Sequence, residues 1–324
     1  MRVRFAFSAM MFVIFASAHP ALAADYPDRP VKMVVAFPAG GFMDTVGRIA
    51  SERLSAILGQ PFVVENRGGA GGRIGEEFVA NSKPDGYTLL VDLIIRPTLM
   101  QMQAGNPGDQ DIDIEKAFVP IGPIGSSPMI LNVSSDFGMK DFASFVEKIK
   151  SEPGKHSYAS AGVGTPSQIV SAQLVRQLGL QAVHVPYRGG ALALQDVAAG
   201  VVIWMVDTPS GSLPLIQGGR LVPLFVVNPT RAKQLPDVPT LAELGHPSFR
   251  DEIMSIYLMA PAATPKPVTE RLSAVLMQLQ ADATVSSQLE NIAIEPSPPT
   301  DLQATRRLVR EQIEAWDKAV KQTK

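Results

Sequence analysis

The feature that most constrains this chain is a recurring pattern. A short apolar run is followed by a break rich in Gly, Ser or Thr, and then by apolar residues at helical spacing. Val31–Phe37 reads as a buried strand and Pro38-Ala39-Gly40-Gly41 interrupts it; Val46, Ile49, Ala50, Leu54, Ile57 and Leu58 then fall on one helix face. Gly59 stops that helix, and Pro61–Glu65 forms a second strand. Asn66–Gly72 is a glycine-rich turn into a helix over Ile74–Ser82, Pro84-Asp85-Gly86 is a tight turn, and Tyr87–Val91 is a third strand. Strands separated by helices require crossover connections, which predicts an α/β fold with mostly parallel sheets.

The alternation continues to the C-terminus. Strands are expected at Val119–Ile124, Met129–Val133, Ser157–Ala159, Ala182–Val185, Val202–Val206, Val222–Val226 and Met254–Ala260. Helices fit Lys140–Lys150, Pro166–Leu178, Ala191–Ala199, Ser212–Gln217, Val268–Ala281 and Asp301–Lys321. In the last of these, Leu302, Leu308, Val309, Ile313, Trp316 and Val320 form the expected buried stripe. Gln103–Glu115 reads as a solvated loop.

The N-terminus is of a different kind. Arg2 and Arg4 precede an uncharged apolar run, Phe5–Ala18, and Ala21-Leu22-Ala23 supplies a small-x-small cleavage site. Residues 1–23 therefore read as a secretory signal peptide, the run being shorter than the ~20 residues that a spanning helix needs. Cleavage after Ala23 removes Arg2 and Arg4 and takes the formal charge from −2 to −4. No later segment is apolar enough to span a bilayer, so the expectation is an exported, periplasmic product without stable membrane insertion.

Composition narrows the chemistry. The 324 residues are enough for two domains at ~100–200 residues each. With 29 basic and 31 acidic residues there is no basic excess for nucleic acid. The absence of Cys excludes disulfides, thiolate metal sites and a cysteine nucleophile, and the four His are not spaced as metal ligands. No metal, cofactor or catalytic residue is assigned. Phosphate-loop and nucleophile-elbow motifs are missing, and Gly162-Val163-Gly164 has Ser167 where a dinucleotide fingerprint needs a third glycine. His184 lies in an apolar run and reads as a hydrogen-bonded core histidine.

The strand-to-helix junctions remain as candidates. Phe37–Asp44 and Tyr158–Ser167 each place free N–H groups at a helix N-terminus, where the dipole and the orphan donors favour an anion, and Ser160, Thr165 and Ser167 add hydroxyls. They are equally readable as tight turns with caps, Asp44 or Thr45 in the first and Thr165 in the second. Asp207–Ser212 is a third such junction.

These residues resemble a known family. Tyr26-Pro27-x-x-Pro30, Phe37-Pro-Ala-Gly-Gly-x-x-Asp44, Arg48, Leu58-Gly-Gln-Pro61 and Val64-Glu-Asn-Arg67 with Gly69-Ala-Gly-Gly72 are similar to substrate-binding proteins of tripartite tricarboxylate transporters, the Bug family. The likeness runs on through Pro84-Asp-Gly-Tyr-Thr-Leu89, Tyr158-Ala-Ser160, His184-Val-Pro-Tyr-Arg-Gly189, Leu235-Pro-Asp-Val-Pro-Thr240, Ala260-Pro261 and Thr264-Pro-Lys266.

The resemblance implies a two-lobed periplasmic binding protein of type II-like form, each lobe a mixed, mostly parallel sheet flanked by helices. One lobe would be 25–122 plus 252–324 and the other 123–251, closing on a small organic carboxylate in the cleft between them. It implies a two-component membrane permease, one large subunit and one small, as partner. Gly40, Gly41 and Phe42 would face Ser160, Gly164, Thr165 and Ser167 across the cleft; Asp207 and Thr208 would line its floor, Phe37 would join the ligand-binding set, and Asp44 would either cap its helix or, as in amino-acid-binding relatives, pair with a ligand's ammonium. A sensor of the same ligand, or a periplasmic hydrolase using one of these serines, are the competing readings.

One stretch departs from the family's pattern. A small polar loop is usual after the third strand, but here it reads Asp92-Leu93-Ile94-Ile95-Arg96-Pro97-Thr98. Leu93–Ile95 either pack into the lobe or, with Phe42, line a pocket for an aromatic or otherwise apolar-bodied carboxylate. Arg96 either meets the ligand's anionic group or is neutralised by Asp92.

Overall fold

The computed structural model describes residues 26–69, 72–94, 112–228, 230–246 and 254–321. The proposed signal peptide and Arg96 lie outside the described residues. Two sheets organise what is described, and the fold is the two-lobed α/β form.

The first sheet has six strands: β1 (Val31–Val35), β2 (Phe62–Asn66), β3 (Thr88–Leu93), β4 (Phe118–Ser127), β10 (Met254–Pro261) and the short β11 (Glu295–Pro296), in the order β11-β4-β10-β3-β1-β2. Alternation along β1 sends Val31, Met33 and Val35 to one face and Val34 and Ala36 to the other. On the first face lie α1 (Phe42–Leu58), α8 (Lys266–Gln280) and α9 (Ala283–Asn291), contributing Val46, Leu54, Leu272 and Leu289. On the second lie α2 (Arg73–Ala80) and α10 (Leu302–Lys321), contributing Val79, Val309 and Ile313. A four-residue helix, α3 (Ile114–Ala117), precedes β4.

The second sheet contains β5 (Met129–Ser134), β6 (His156–Ser160), β7 (Ala182–Pro186), β8 (Trp204–Asp207) and β9 (Leu221–Val227), ordered β7-β6-β8-β5-β9. α4 (Phe142–Ser151) and α5 (Pro166–Gln177) cover one face; α6 (Gly190–Ala198) and α7 (Pro209–Gln217) cover the other.

Both sheets are mixed, but parallel pairing does not dominate as expected. It is confined to β1 with β2 and β3, and to β6 with β7 and β8. The strands next to the passages between sheets, β4, β5 and β10, pair antiparallel. The reason is topological: β10 re-enters the first sheet beside the end at which β4 leaves it, Met254 opposite Ser127, and so runs back antiparallel. β4 stays paired with β10 as far as Ser127, so the first passage falls at Pro128, beyond residue 122.

Two further differences concern helices. α9 was not expected, and is started by Asp282, whose carboxylate accepts from the N–H groups of Thr284 and Val285. In α10 the buried face is Thr305, Val309, Gln312, Ile313 and Trp316, whereas Leu308 is 41% exposed. The true stripe runs one position C-terminal to Leu308, because Gln312 turns inward to donate from Nε2 to Ser255 Oγ at 3.1 Å.

Candidate functional site

The candidate residues gather into two groups at the C-terminal ends of parallel strands, where open α/β sheets bind ligands. The first group follows β1. Gly40 adopts φ +80°, a conformation that glycine reaches without a Cβ penalty, and so turns the chain into α1 with Gly41 as N-cap. Gly40 and Gly41 are exposed, Phe37 and Phe42 are half-buried, and Asp44 is buried. Asp44 accepts from the Gly40 N–H at 2.9 Å and from Arg48 Nε at 3.1 Å. Burial pushes its carboxyl up, but the hydrogen bonds from Arg48, Gly40 and Asn66 outweigh that and hold it below the usual carboxylate range.

The Asn66–Gly69 loop braces this turn. Asn66 Nδ2 donates to the Phe37 carbonyl at 3.2 Å and the Arg67 N–H donates to the Val35 carbonyl at 2.8 Å. The glycines are required by proximity: a Cβ on Gly68 would meet Pro38 at 2.8 Å, and one on Gly75 would meet Ala36 at 2.9 Å. Behind the loop Asp92 lies 2% exposed, its Oδ1 accepting the Leu93 N–H at 2.7 Å. Burial raises its carboxyl, and the neighbouring buried carboxyl of Glu76 raises it further. Among the described residues, then, Asp92 is set against a like charge. Leu93 and Ile94 are 3% and 1% exposed and belong to the core, so the plain reading of that stretch holds for these two residues.

The second group surrounds the loop after β6. Ser160, Thr165 and Ser167 are buried, and their hydroxyls shape the loop. Ser160 Oγ lies 2.7 Å from His184 Nε2 and accepts the Gly162 N–H at 3.2 Å. Ser167 Oγ accepts the Ala161 N–H at 2.9 Å, and Thr165 Oγ1 donates to the Gly162 carbonyl at 2.7 Å. Gly164, with φ +80°, is buried, and its N–H is taken by Gln168 Oε1 at 2.8 Å. The parallel register that aligns Tyr158 with His184 also stacks their rings at 5.0 Å, and Tyr158 stacks on Trp204 at 4.8 Å. Burial lowers the basicity of His184, which keeps the imidazole neutral at pH 7.

Asp207, at the end of β8, adjoins this loop through the turn before α6. The Tyr187 N–H donates to the Ser160 carbonyl at 3.0 Å, and Gly190 opens α6 against the Asp207 carboxyl. A Cβ on Gly190 would lie 3.3 Å from Oδ1, and one on Gly211 would lie 2.7 Å from Oδ2. The carboxyl thus occupies a glycine-walled cradle at the N-termini of α6 and α7. Burial pushes it up to about 7, opposed by a hydrogen bond from the Thr208 N–H. Thr208 is buried as the N-cap of α7.

Each group is therefore brought together within itself. Sequence reasoning missed Gln168, Asn66 and the Gly190–Gly211 cradle. Gln168 was readable as the third helical residue after a Thr-Pro start; the cradle was not, since it depends on tertiary contact. Among the described residues no group of three or more His, Asp or Glu is placed to hold a metal, and no helix is long and apolar enough to cross a membrane.

Comparison with known proteins identifies the family and the fold. A family model described as "Tripartite tricarboxylate transporter family receptor" matches residues 46–324. A "UPF0065 protein in tcbD-tcbE intergenic region" of Pseudomonas sp. strain P51 is 34% identical over 299 residues, covering 91% of this chain and 86% of that protein. Protein BugT of Bordetella pertussis is 30% identical over 311 residues, covering 94% of this chain and 93% of that one.

Two solved structures are similarly near. "R. palustris Rpa4515 with adipate" superposes with a TM-score of 0.84 at 28% identity, covering 92% of this chain and 98% of that one. "MatC (Rpa3494) from Rhodopseudomonas palustris with bound malate" gives 0.81 at 29% identity, covering 91% and 100%. With the family model spanning most of its length and BugT 30% identical over nearly the whole chain, the chain belongs to the tripartite tricarboxylate transporter receptor family, the Bug proteins.

Proposed function

We propose that this protein is a periplasmic receptor that captures a small organic carboxylate by lobe closure and delivers it to a two-component membrane permease. The observation that carries the reading is the make-up of the two groups. Both are strand-to-helix turns offering backbone N–H groups, and neither holds the exposed acid–base pair that chemistry on a ligand would use. Adipate and malate in the related structures are ligands of this class. The Ser160–His184 pair, with Ser160 wholly buried, serves to shape the loop and has no role as a nucleophile and base.

In this reading the lobe built on the first sheet, residues 25–127 with 252–324, closes on the lobe built on the second, residues 128–251, and Gly40, Gly41 and Phe42 come to face the Ser160–Ser167 loop. Asp207 and Thr208 floor the cleft. Phe37 and Phe42 offer apolar surface to the body of the ligand, a role that Leu93 and Ile94 cannot share from the core. Arg96 is a candidate partner for the ligand's anionic group. Residues 1–23 direct export and are cleaved. The test is uptake: deleting residues 1–24 should abolish carboxylate uptake by cells while the purified protein still binds its ligand and returns it unchanged. Uptake retained by the truncated form, or ligand converted to a product, would overturn the proposal.

A further inference from the structure

Two carboxyl groups meet inside the lobe built on the first sheet. Asp92, at the end of β3, is 2% exposed, and Glu76, in the first turn of α2, is 5% exposed. They lie within hydrogen-bonding reach of each other. Asp92 Oδ1 accepts the Leu93 N–H at 2.7 Å, whereas no N–H or hydroxyl donor among the described residues reaches its Oδ2. That orphaned oxygen lies beneath the glycine loop: a Cβ on Gly72 would be 3.4 Å from it and 3.6 Å from Ala36. A buried oxygen left without a donor is costly, and a proton placed between the two carboxyls would satisfy it.

The surroundings show which group holds that proton. Burial raises the Glu76 carboxyl and Glu77 adds to this, but the hydrogen bond with Asp92 and the nearby Arg73 pull it back toward the charged form, which the start of α2 also favours. Asp92 has one backbone N–H in its favour; burial and the Glu76 charge push its carboxyl well above the usual range. The other described elements around the pair bring no further cation. β1 presents Val34 and Ala36, Glu77 is paired with Arg73 at 3.5 Å, and Tyr257, opposite Asp92 on β10, hydrogen-bonds to Ser255 near Glu311 of α10. We propose that Asp92 and Glu76 form a proton-held clasp: Asp92 keeps a proton on Oδ2 and donates it to the Glu76 carboxylate, fastening the start of α2 to the end of β3 until alkaline pH removes it.

The clasp holds the support of the turn before α1. Gly75, next to Glu76, packs against Ala36 and the Arg67 carbonyl, and the Gly72 N–H donates to the Gly69 carbonyl at 3.0 Å. The same Asn66–Gly69 loop backs the Phe37–Gly40 turn. Once the proton leaves, two buried like charges repel between α2 and β3, and the turn loses its backing. Only this last consequence, for ligand affinity, rests on the receptor reading.

Asp92→Asn keeps the Leu93 bond through Oδ1 and sets an N–H where the proton would be. NMR of isotopically labelled aspartate carboxyls, followed from about pH 4 to 10, should show a resonance that is missing from Asp92→Asn and stays protonated beyond pH 7. The melting temperature should fall by several degrees between about pH 7 and 10 in the unaltered protein and by less in the variant. Asp207 titrates at about 7 in both proteins, so the difference between them is read. If Asp92→Asn does not fold, Glu76→Gln removes the neighbouring charge and should bring the Asp92 midpoint down by about one pH unit or more. With malate and adipate as calorimetric probes, affinity should weaken roughly threefold or more over the same alkaline range in the unaltered protein relative to Asp92→Asn. An Asp92 carboxyl that titrates below about pH 5 would overturn the proposal. So would a melting temperature raised by added sodium or calcium in the unaltered protein alone, which would put a cation in the proton's place. Affinity that follows pH equally in both proteins would overturn the link to the turn. If neither probe binds, the receptor reading is what fails, because the NMR titration needs no ligand.

Discussion

Asp207→Asn should make the protein more stable at pH 7.5 and leave it nearly unchanged at about pH 3. The carboxyl of Asp207 is enclosed by Gly190, Gly211 and the Thr208 N–H, and burial raises it from 3.8 to about 7. Below pH ~3 it is largely neutral in both folded and unfolded chains, so the enclosure costs almost nothing. As pH rises the unfolded chain ionises freely and the folded one does not, so stability falls until about pH 7 and is level above it. At about 1.4 kcal/mol per pH unit, that interval of roughly three units corresponds to about 4 kcal/mol. The starts of α6 and α7 offset up to ~2 kcal/mol by favouring the charged form, leaving a net cost of about 2–4 kcal/mol.

Asn has the same shape, still accepts the Thr208 N–H and carries no charge, so it removes this pH dependence without opening a cavity. Urea unfolding of both proteins at about pH 3, 4.5, 6 and 7.5 gives the comparison. Stability curves that coincide at about pH 3, differ by up to about 1 kcal/mol at pH 4.5 and diverge by about 2–4 kcal/mol at pH 7.5 are expected. Parallel curves, or a less stable variant at pH 7.5, would refute the reasoning.

Other outcomes follow from the packing. Trp316→Ala should destabilise by about 3–5 kcal/mol in denaturant unfolding, since the indole is 1% exposed, whereas Leu308→Ala at 41% exposure should change stability by less than about 0.5 kcal/mol; similar losses at both would contradict the helix register. Ser167→Ala leaves the Ala161 N–H without its acceptor and should cost about 1–2 kcal/mol, with carboxylate affinity falling roughly tenfold by calorimetry. Gly75→Val forces a side chain against Ala36 and the Arg67 carbonyl and should cost about 1–3 kcal/mol in thermal or urea unfolding; a neutral change would mean that α2 can shift away from β1.

Much of the architecture was legible because it is local. The apolar run Val31–Val35, the glycine break and the periodic apolar face of α1 depend only on neighbours in sequence, and so do the junctions after β6 and β8. α9 was hidden because only Val285 and Leu289 are buried along it, too thin a stripe to rise above its polar residues. The misplacement of Leu308 has a related cause, since Thr305 and Gln312 take inward positions that an apolar count assigns to solvent.

In the site, the loops could be read but not their internal bonding. The Ser160–His184 contact needs the parallel register of β6 on β7, and the Asp207 cradle needs α6 and α7 to converge on the end of β8. The hydroxyls of Ser160, Thr165 and Ser167 read as exposed donors in sequence, and the fold uses them to hold their own loop.

The most direct test of the receptor account is thermal unfolding of the protein lacking residues 1–23 against a panel of carboxylates: malate, adipate, citrate, acidic amino acids, nicotinate and aromatic mono- and diacids. A true ligand at about 100 times its dissociation constant should add about 2.7 kcal/mol of stability and raise the midpoint by several degrees. The account predicts such a shift for at least one small carboxylate and none for its amide analogue. A protein whose midpoint does not move with any carboxylate in the panel would contradict it.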